Sequence, residues 1–98
     1  MKTKVRVEAQ VEDFVKALAP DPRRRLRLAI RALADGHGDS KALEGSLAGF
    51  SRLRLSGYRV IYGEHLERGS RVIDCVFAER RALVYELFTK LLVEQAGG

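Results

Sequence analysis

Residues 51–63, with the sequence SRLRLSGYRVIYG, decide the fold of this chain. Charged and apolar side chains alternate on both sides of a central Ser56-Gly57 pair, which is the two-residue period of half-buried β-strands. A serine–glycine pair suits a tight turn, although less strongly than Asn-Gly does. The stretch therefore predicts a β-hairpin in which Arg54 lies directly across from Arg59.

The two facing arginines favour an anion-binding surface. Like charges directly across from each other destabilise a sheet unless an anion neutralises them. Arg52 lies two residues before Arg54 on the same face, and planar guanidinium groups suit phosphate. The alternative interpretation is a solvated basic face that a carboxylate eases. In the next predicted strand, residues 71–77, the alternation puts Asp74 on this face, where we expect it to partner Arg59.

The first third of the chain predicts one strand and two helices. Residues 3–8 alternate like a strand, and residues 11–18 have the i, i+3, i+4, i+7 spacing of an amphipathic helix. Asp21 is expected to cap a second helix that has Pro22 at its first position and ends near Gly36. These two helices form a helical hairpin.

The remaining stretches complete the predicted order of elements. Residues 36–49 lack a clear period and indicate a loop with at most one helical turn. The strand over residues 71–77 directs its apolar set, which includes Cys75 and Phe77, towards the core. The apolar rows of residues 81–95 predict a final helix.

This order predicts the α+β class. We expect a small single domain over residues 1–98, in which an N-terminal strand and a two-helix hairpin pack on a mainly antiparallel four-stranded sheet, followed by a C-terminal helix. A length of 98 residues supports one modest core.

The composition favours one class of binding partner and one cellular compartment. The net charge is +5, and thirteen of the eighteen cationic residues are arginines, so we expect a polyanionic partner, nucleic acid or an acidic protein. No signal peptide and no apolar run of about 18 residues is evident, which predicts a cytoplasmic protein without a membrane partner. The lone Cys75 excludes an internal disulfide and a cysteine-based zinc site.

A second cluster of candidate residues lies near the start of the predicted last helix. If that helix begins at Arg81, then Arg81 and Tyr85 are four positions apart and share one helix face. The positive end of the helix dipole there also suits phosphate. The alternative interpretations are a solvated Arg80–Arg81 pair and a Tyr85 that packs on the core with its hydroxyl in water.

Several short motifs, taken in order, resemble the RelE/ParE superfamily, the toxins of bacterial type II toxin–antitoxin pairs. They are KALEG at residues 41–45, RLR at 52–54, GYRVIY at 57–62, and ERR at 79–81 with Val84-Tyr85. The resemblance implies two helices packed on an antiparallel sheet with the last helix beside it. It also implies an acidic antitoxin as partner, with oligomers formed only through the toxin–antitoxin complex.

In the RelE branch the resemblance implies a ribosome-dependent endoribonuclease that cleaves mRNA with the RNA 2′-hydroxyl as nucleophile, without a metal or a cofactor. On this analogy Arg59 holds the scissile phosphate, Tyr85 is the candidate base, and Arg81 stabilises charge or assists the leaving oxygen. The remaining analogous residues bind the RNA backbone: Arg52, Arg54 and Arg80.

Two other functions are compatible with the same fold. One is a ParE-type inhibitor of DNA gyrase, and the other is a degenerate toxin that only binds its antitoxin. This sequence has Phe50 and Ser51 where further cations are expected, and Glu79 just before Arg80. These departures bear on the catalytic assignment more than on the fold.

Overall fold

The predicted hairpin is the centre of the structure. The computed structural model describes residues 2–97. The Ser56-Gly57 turn joins two antiparallel strands whose register places Leu53 opposite Val60 and Arg54 opposite Arg59. The pairing of Arg54 with Arg59 agrees with the sequence-based prediction, because burial of the apolar set on one face allows only one register.

Within residues 2–97 there are five strands and three helices. In chain order they are β1 Thr3–Val7, α1 Ala9–Lys16, α2 Pro20–Ala32, β2 Asp39–Ala42, β3 Phe50–Leu55, β4 Tyr58–Glu67, β5 Ser70–Arg80 and α3 Val84–Gly97. Short 3₁₀ turns follow α2 at Leu33–Asp35 and precede β3 at Gly45–Leu47.

The sheet is mixed, with the strand order β1-β5-β4-β3-β2. β1 pairs with β5 in parallel, and the other pairs are antiparallel. The α+β class and the mainly antiparallel sheet are therefore confirmed, with five strands instead of the expected four. The additional strand, β2, lies in the stretch expected to be a loop. All four of its side chains are exposed, so it has no buried apolar face that its sequence would reveal.

Helices cover both faces of the sheet. α1 and α2 pack on the face that carries Leu53, Val60 and Ile73, which we call the hairpin face. α3 packs on the opposite face, which carries Ile61 and Phe77 and which we call the α3 face. Because the middle of β4, Val60 to Tyr62, is buried on both sides, its two faces hold separate clusters of apolar side chains.

A β-bulge in β5 changes which residues reach each face. Ile61 pairs with Phe77 but Tyr62 pairs with Cys75, so β5 has one more residue than β4 at this point. Such an insertion reverses the alternation beyond it. The expectation that Cys75 and Phe77 face the same core is therefore wrong, because Cys75 lies on the hairpin face and Phe77 on the α3 face.

The start of α2 also differs from the prediction. The helix begins at Pro20 with Ala19 as its N-cap, and no side chain caps it. Asp21 therefore lies in the first turn and is not the cap. The fixed φ of Pro20 and its missing N–H suit the first helical position, so the helix starts two residues earlier. The α-helix ends at Ala32, and the 3₁₀ turn over Leu33–Asp35 continues it to the predicted stop at Gly36, which has a left-handed φ of 75°.

Cys75 is a core residue, as expected from its position in a strand. It is fully buried, and burial raises the pKa of its thiol to about 12. Within residues 2–97, no helix combines the length and the apolar character needed to cross a lipid bilayer.

Two leucines of α2 provide a matched test of the packing. Leu26 is fully buried against the sheet, whereas Leu28 is 55% exposed. We expect Leu26→Ala to lower the free energy of unfolding by about 2–5 kcal/mol, because it leaves a cavity in the core. Leu28→Ala is the control and should change it by at most about 0.5 kcal/mol. Urea denaturation measures both, and equal losses would contradict this packing.

Candidate nucleic-acid interface

A row of four charged side chains crosses the α3 face at one end of the sheet. The strand registers place Glu79 opposite Arg59, Arg59 opposite Arg54, and Arg54 opposite Asp39. The row therefore runs from β5 to β2 with two central cations between two carboxylates. The predicted juxtaposition of Arg54 and Arg59 is confirmed, and like charges at this separation repel.

The neighbouring row adds a second pair of facing cations. Lys41 on β2 lies directly opposite Arg52 on β3. Together with Arg54 and Arg59, these residues form a surface of four cations, which we call the basic sheet face. Sequence reasoning missed Lys41 because β2 was expected to be a loop.

Asp39 is the carboxylate that relieves much of this repulsion. Its Oδ2 accepts a hydrogen bond of 2.6 Å from Nε of Arg54, and its Oδ1 lies 3.4 Å from Nη1 of Arg52. The same Nη1 donates to the Asp39 backbone carbonyl at 3.1 Å. One edge-strand carboxylate thus binds two arginines from the next strand.

The prediction that Asp74 partners Arg59 is wrong. Asp74 lies on the predicted face, but its Oδ2 accepts a hydrogen bond of 3.4 Å from Arg6. Across from Asp74 in the register is Gly63, whereas Glu79 lies across from Arg59. The carboxylate of Glu79 instead accepts a hydrogen bond of 2.9 Å from the backbone N–H of Arg80.

Arg59 is held by the backbone of its own hairpin. Its Nη1 donates to the carbonyl of Ser56 at 3.0 Å and to that of Tyr58 at 2.8 Å. Within residues 2–97 its guanidinium forms no ion pair, and its Nε and Nη2 have no hydrogen-bond partner. Arg59 is thus an oriented cation with donors left for an anion.

Tyr85 lies next to the second row of cations. It is in the first turn of α3, is partly exposed, and lines a cavity of about 240 Å³ together with Lys41 and Arg52. Glu44 lines the same cavity, so one carboxylate also reaches this space. The structure thus brings Tyr85 and Arg52 together. Arg59 lies in the adjacent row of the same sheet face and does not line this cavity.

Arg80 and Arg81 lie elsewhere. α3 begins at Val84, so the prediction that Arg81 and Tyr85 share one helix face is wrong. The backbone N–H of Arg81 instead bonds the carbonyl of Gly57 at 2.8 Å, which fixes this segment at the hairpin turn and delays the helix. Arg80 and Arg81 line a different cavity, of about 540 Å³, with Arg25 of α2.

The interface is built from arginine, lysine and tyrosine side chains. Among residues 2–97, no group of three or more His, Cys, Asp or Glu side chains is arranged to hold a metal ion. Forked guanidinium donors on a rigid sheet suit phosphate or carboxylate groups.

Solved structures with the same architecture belong to toxin–antitoxin systems. A chain of the RelBE2 complex of Mycobacterium tuberculosis matches with a TM-score of 0.62 and 24% identity, over 84% of this chain and 94% of that one. A chain of the archaeal RelE–RelB complex of Pyrococcus horikoshii OT3 matches with 0.60 and 27%, over 83% and 97%. The YoeB/ParE toxin of Agrobacterium tumefaciens matches with 0.56 and 19%, over 79% and 97%.

Neither a protein-family model nor a curated protein sequence matches the chain. The structural similarity covers nearly the full length of each solved chain, so this chain shares the fold of these RelE and YoeB/ParE toxin–antitoxin proteins.

The ion pairs of Asp39 lead to a testable pH dependence. The hydrogen bond from Arg54, assisted by Arg52, lowers the pKa of Asp39 below its ordinary 3.8. A carboxylate with a lowered pKa in the folded state stabilises the fold above its unfolded pKa, and this contribution is lost as the pH falls through the folded value. We therefore expect Arg54→Gln to raise the pKa of Asp39, measured by a carboxyl ¹³C NMR titration.

The matched control for that titration is Arg71→Gln. It removes an arginine that is bound to Glu64, outside the interface. The control should leave the titration midpoint of Asp39 unchanged. An Asp39 midpoint that is the same in wild type and Arg54→Gln would contradict the described pairing.

Proposed function

We propose that this chain is the toxin of a type II toxin–antitoxin pair and acts as a ribosome-dependent mRNA endoribonuclease. The chains similar to it come from complexes described as RelBE2 and RelE–RelB and from a YoeB/ParE toxin. The ordered motifs at residues 41–45, 52–54, 57–62 and 79–85 support the same proposal. An acidic antitoxin is part of the proposal, since it suits a protein with a net charge of +5, and a cytoplasmic location is part of it as well.

One observation carries the proposal: the basic sheet face lies beside a phenol. Four cations in two adjacent rows face the same side, and Tyr85 opens into the cavity of Lys41 and Arg52. Cations on a rigid sheet neutralise consecutive phosphates of an RNA strand. The phenol of Tyr85 shares a cavity with two of these cations, which supports a role for it at the sugar of a bound nucleotide.

In the proposed reaction the RNA 2′-oxygen attacks the adjacent phosphorus and the bond from phosphorus to the 5′-oxygen breaks. Tyr85, in its ionised form, accepts the proton of the 2′-hydroxyl, and the leaving 5′-oxygen takes a proton from water. Arg59 stabilises the additional negative charge on the phosphate oxygens. A phenol is a weak base at neutral pH. Most of the acceleration therefore comes from electrostatic stabilisation and from holding the 2′-oxygen in line with the leaving oxygen.

The other predicted residues have supporting parts in this proposal. Arg52 and Arg54 bind the RNA backbone, oriented by Asp39. Arg80 and Arg81 bind phosphate at the hairpin turn. We assign Arg81 to phosphate binding and not to the leaving oxygen, because it lines the cavity of Arg25 and not that of Tyr85.

A second candidate function is inhibition of DNA gyrase by a ParE-type toxin. Two carboxylates near the proposed catalytic residues favour gyrase inhibition. Glu79 lies across from Arg59, and Glu44 lines the cavity of Tyr85. Negative charges at these places oppose binding of a phosphate. A toxin that binds its target without chemistry does not need Tyr85, nor does a degenerate toxin that binds only its antitoxin.

Removal of the phenolic hydroxyl tests the chemistry. We expect Tyr85→Phe to reduce mRNA cleavage by about 10²–10⁴-fold, the usual contribution of a general base, with ribosome binding changed by no more than about twofold. Primer extension on a translated mRNA with purified ribosomes measures the cleavage, and co-sedimentation measures the binding. Cleavage at the wild-type rate by Tyr85→Phe would exclude Tyr85 as the base.

Removal of the oriented cation tests the phosphate role. We expect Arg59→Gln to reduce cleavage by about 10²–10³-fold, as for loss of one preorganised donor to a developing charge. Arg31→Gln, which removes an exposed arginine of α2, is the control with the same change in charge and should retain the wild-type rate.

Induction of the wild-type chain in a bacterial host separates the candidate functions. The endoribonuclease predicts new transcript 5′ ends within translated regions. Double-strand DNA breaks without such ends would favour gyrase inhibition. Unchanged growth and intact mRNA would favour the degenerate toxin.

A further inference from the structure

The cavity at the hairpin turn contains a second group of cations. It lies between the start of α2, the Ser56-Gly57 turn and the end of β5, and its volume is about 540 Å³. Arg25 enters it from α2, and Arg80 and Arg81 from the end of β5. We propose that this cavity, which we call the turn cavity, binds the phosphate backbone of single-stranded RNA outside the site of Tyr85.

The turn cavity has a defined geometry. Nη2 of Arg25 donates to Oγ of Ser56 at 3.3 Å, which directs this side chain towards the turn. The bond of 2.8 Å from the backbone N–H of Arg81 to the carbonyl of Gly57 joins the end of β5 to the same turn. Three elements that are distant in sequence are therefore held around one opening.

Its charge is not neutralised by the protein. Arg25, Arg80 and Arg81 are exposed, and within residues 2–97 none of them forms an ion pair. Among the described residues no Asp or Glu lines the cavity, and the neighbouring Glu79 carboxylate bonds the backbone N–H of Arg80, not its guanidinium. This contrasts with the basic sheet face, where Asp39 binds two arginines. The first turn of α2, which reaches the cavity through Pro22, adds the positive end of a helix dipole.

The geometry favours a nucleic-acid backbone over an acidic peptide. Arginine clusters also bind acidic peptides, and an apolar groove or an open strand edge beside the cations strengthens that mode of binding. At this turn the backbone N–H of Arg81 is already bonded, and Tyr58 packs its ring against Phe14 at 5.9 Å. Forked donors that approach from three elements fit the several oxygens of a phosphodiester. The choice of RNA rests on the proposed function.

A binding measurement without cleavage tests the turn cavity. The probe is a fluorescent RNA of about 12 nucleotides, fully 2′-O-methylated so that it lacks the nucleophile, and anisotropy is followed across a KCl series. Each phosphate contact to a single strand contributes about 0.7 to the slope of log K against log salt, so R25Q/R80Q/R81Q should lower the slope by about 2 and the affinity at 0.1 M salt by about a hundredfold.

The matched control is R23Q/R24Q/R31Q. It removes three arginines from α2 and changes the net charge by the same amount, but none of the three lines the turn cavity. We expect the decrease in log K of the control to be less than about a third of the decrease in log K of the cavity variant. Circular dichroism verifies that both variants remain folded.

Three outcomes would overturn the proposal. They are equal losses in the two triple variants, no binding of the RNA by the wild type, and a labelled polyglutamate that depends on the turn cavity as strongly as the RNA does. The last result would assign the cavity to an acidic protein. Because the methylated RNA cannot be cleaved, a chain without nuclease activity still passes or fails this test on binding alone.

Discussion

Burial of apolar side chains in the central hairpin forces like charges together on the basic sheet face. Burial of Leu53 against Val60 fixes the register of β3 and β4, and a shift by one residue would bury the arginines. The same register forces Arg54 and Arg59 to face each other. The hydrophobic core thus imposes a repulsion that the rest of this surface must accommodate.

Asp39 neutralises part of this repulsion, and β2 is the strand that positions its carboxylate. The strand has no buried side chain, yet it brings one carboxylate to two arginines of β3. Arg59 lies on β4, the other strand of the hairpin, and its guanidinium donates only to backbone carbonyls. A surface in which some cations are neutralised and one is oriented but unpaired is suited to select the position of an anion.

The parts of the fold that depend on apolar periodicity could be predicted from the sequence. The hairpin register, the two N-terminal helices and the C-terminal helix all follow from buried stripes such as that of Leu26 and Ile30. β2 could not be predicted in this way, because it is held by backbone hydrogen bonds at the sheet edge. Asp39 and Lys41 were therefore absent from the candidate site.

The errors in the candidate site have local causes. The bulge between Cys75 and Phe77 is invisible to a strict two-residue period. The turn at residues 81–83 arises because a backbone bond ties Arg81 to Gly57, and this delays α3. It separates Arg81 from Tyr85 and moves it into the turn cavity. Hydrogen bonds between distant backbone segments carry no pattern in the side-chain sequence.

Side-chain NMR of the arginine Nε–Hε groups, during titration with a 2′-O-methylated trinucleotide, shows whether the basic sheet face binds RNA. If the basic sheet face binds the phosphodiester near Tyr85, the signals of Arg52 and Arg59 shift with one common dissociation constant. The ring signals of Tyr85 shift in the same titration. If these signals stay constant while arginines elsewhere on the chain respond, the account of this surface is contradicted.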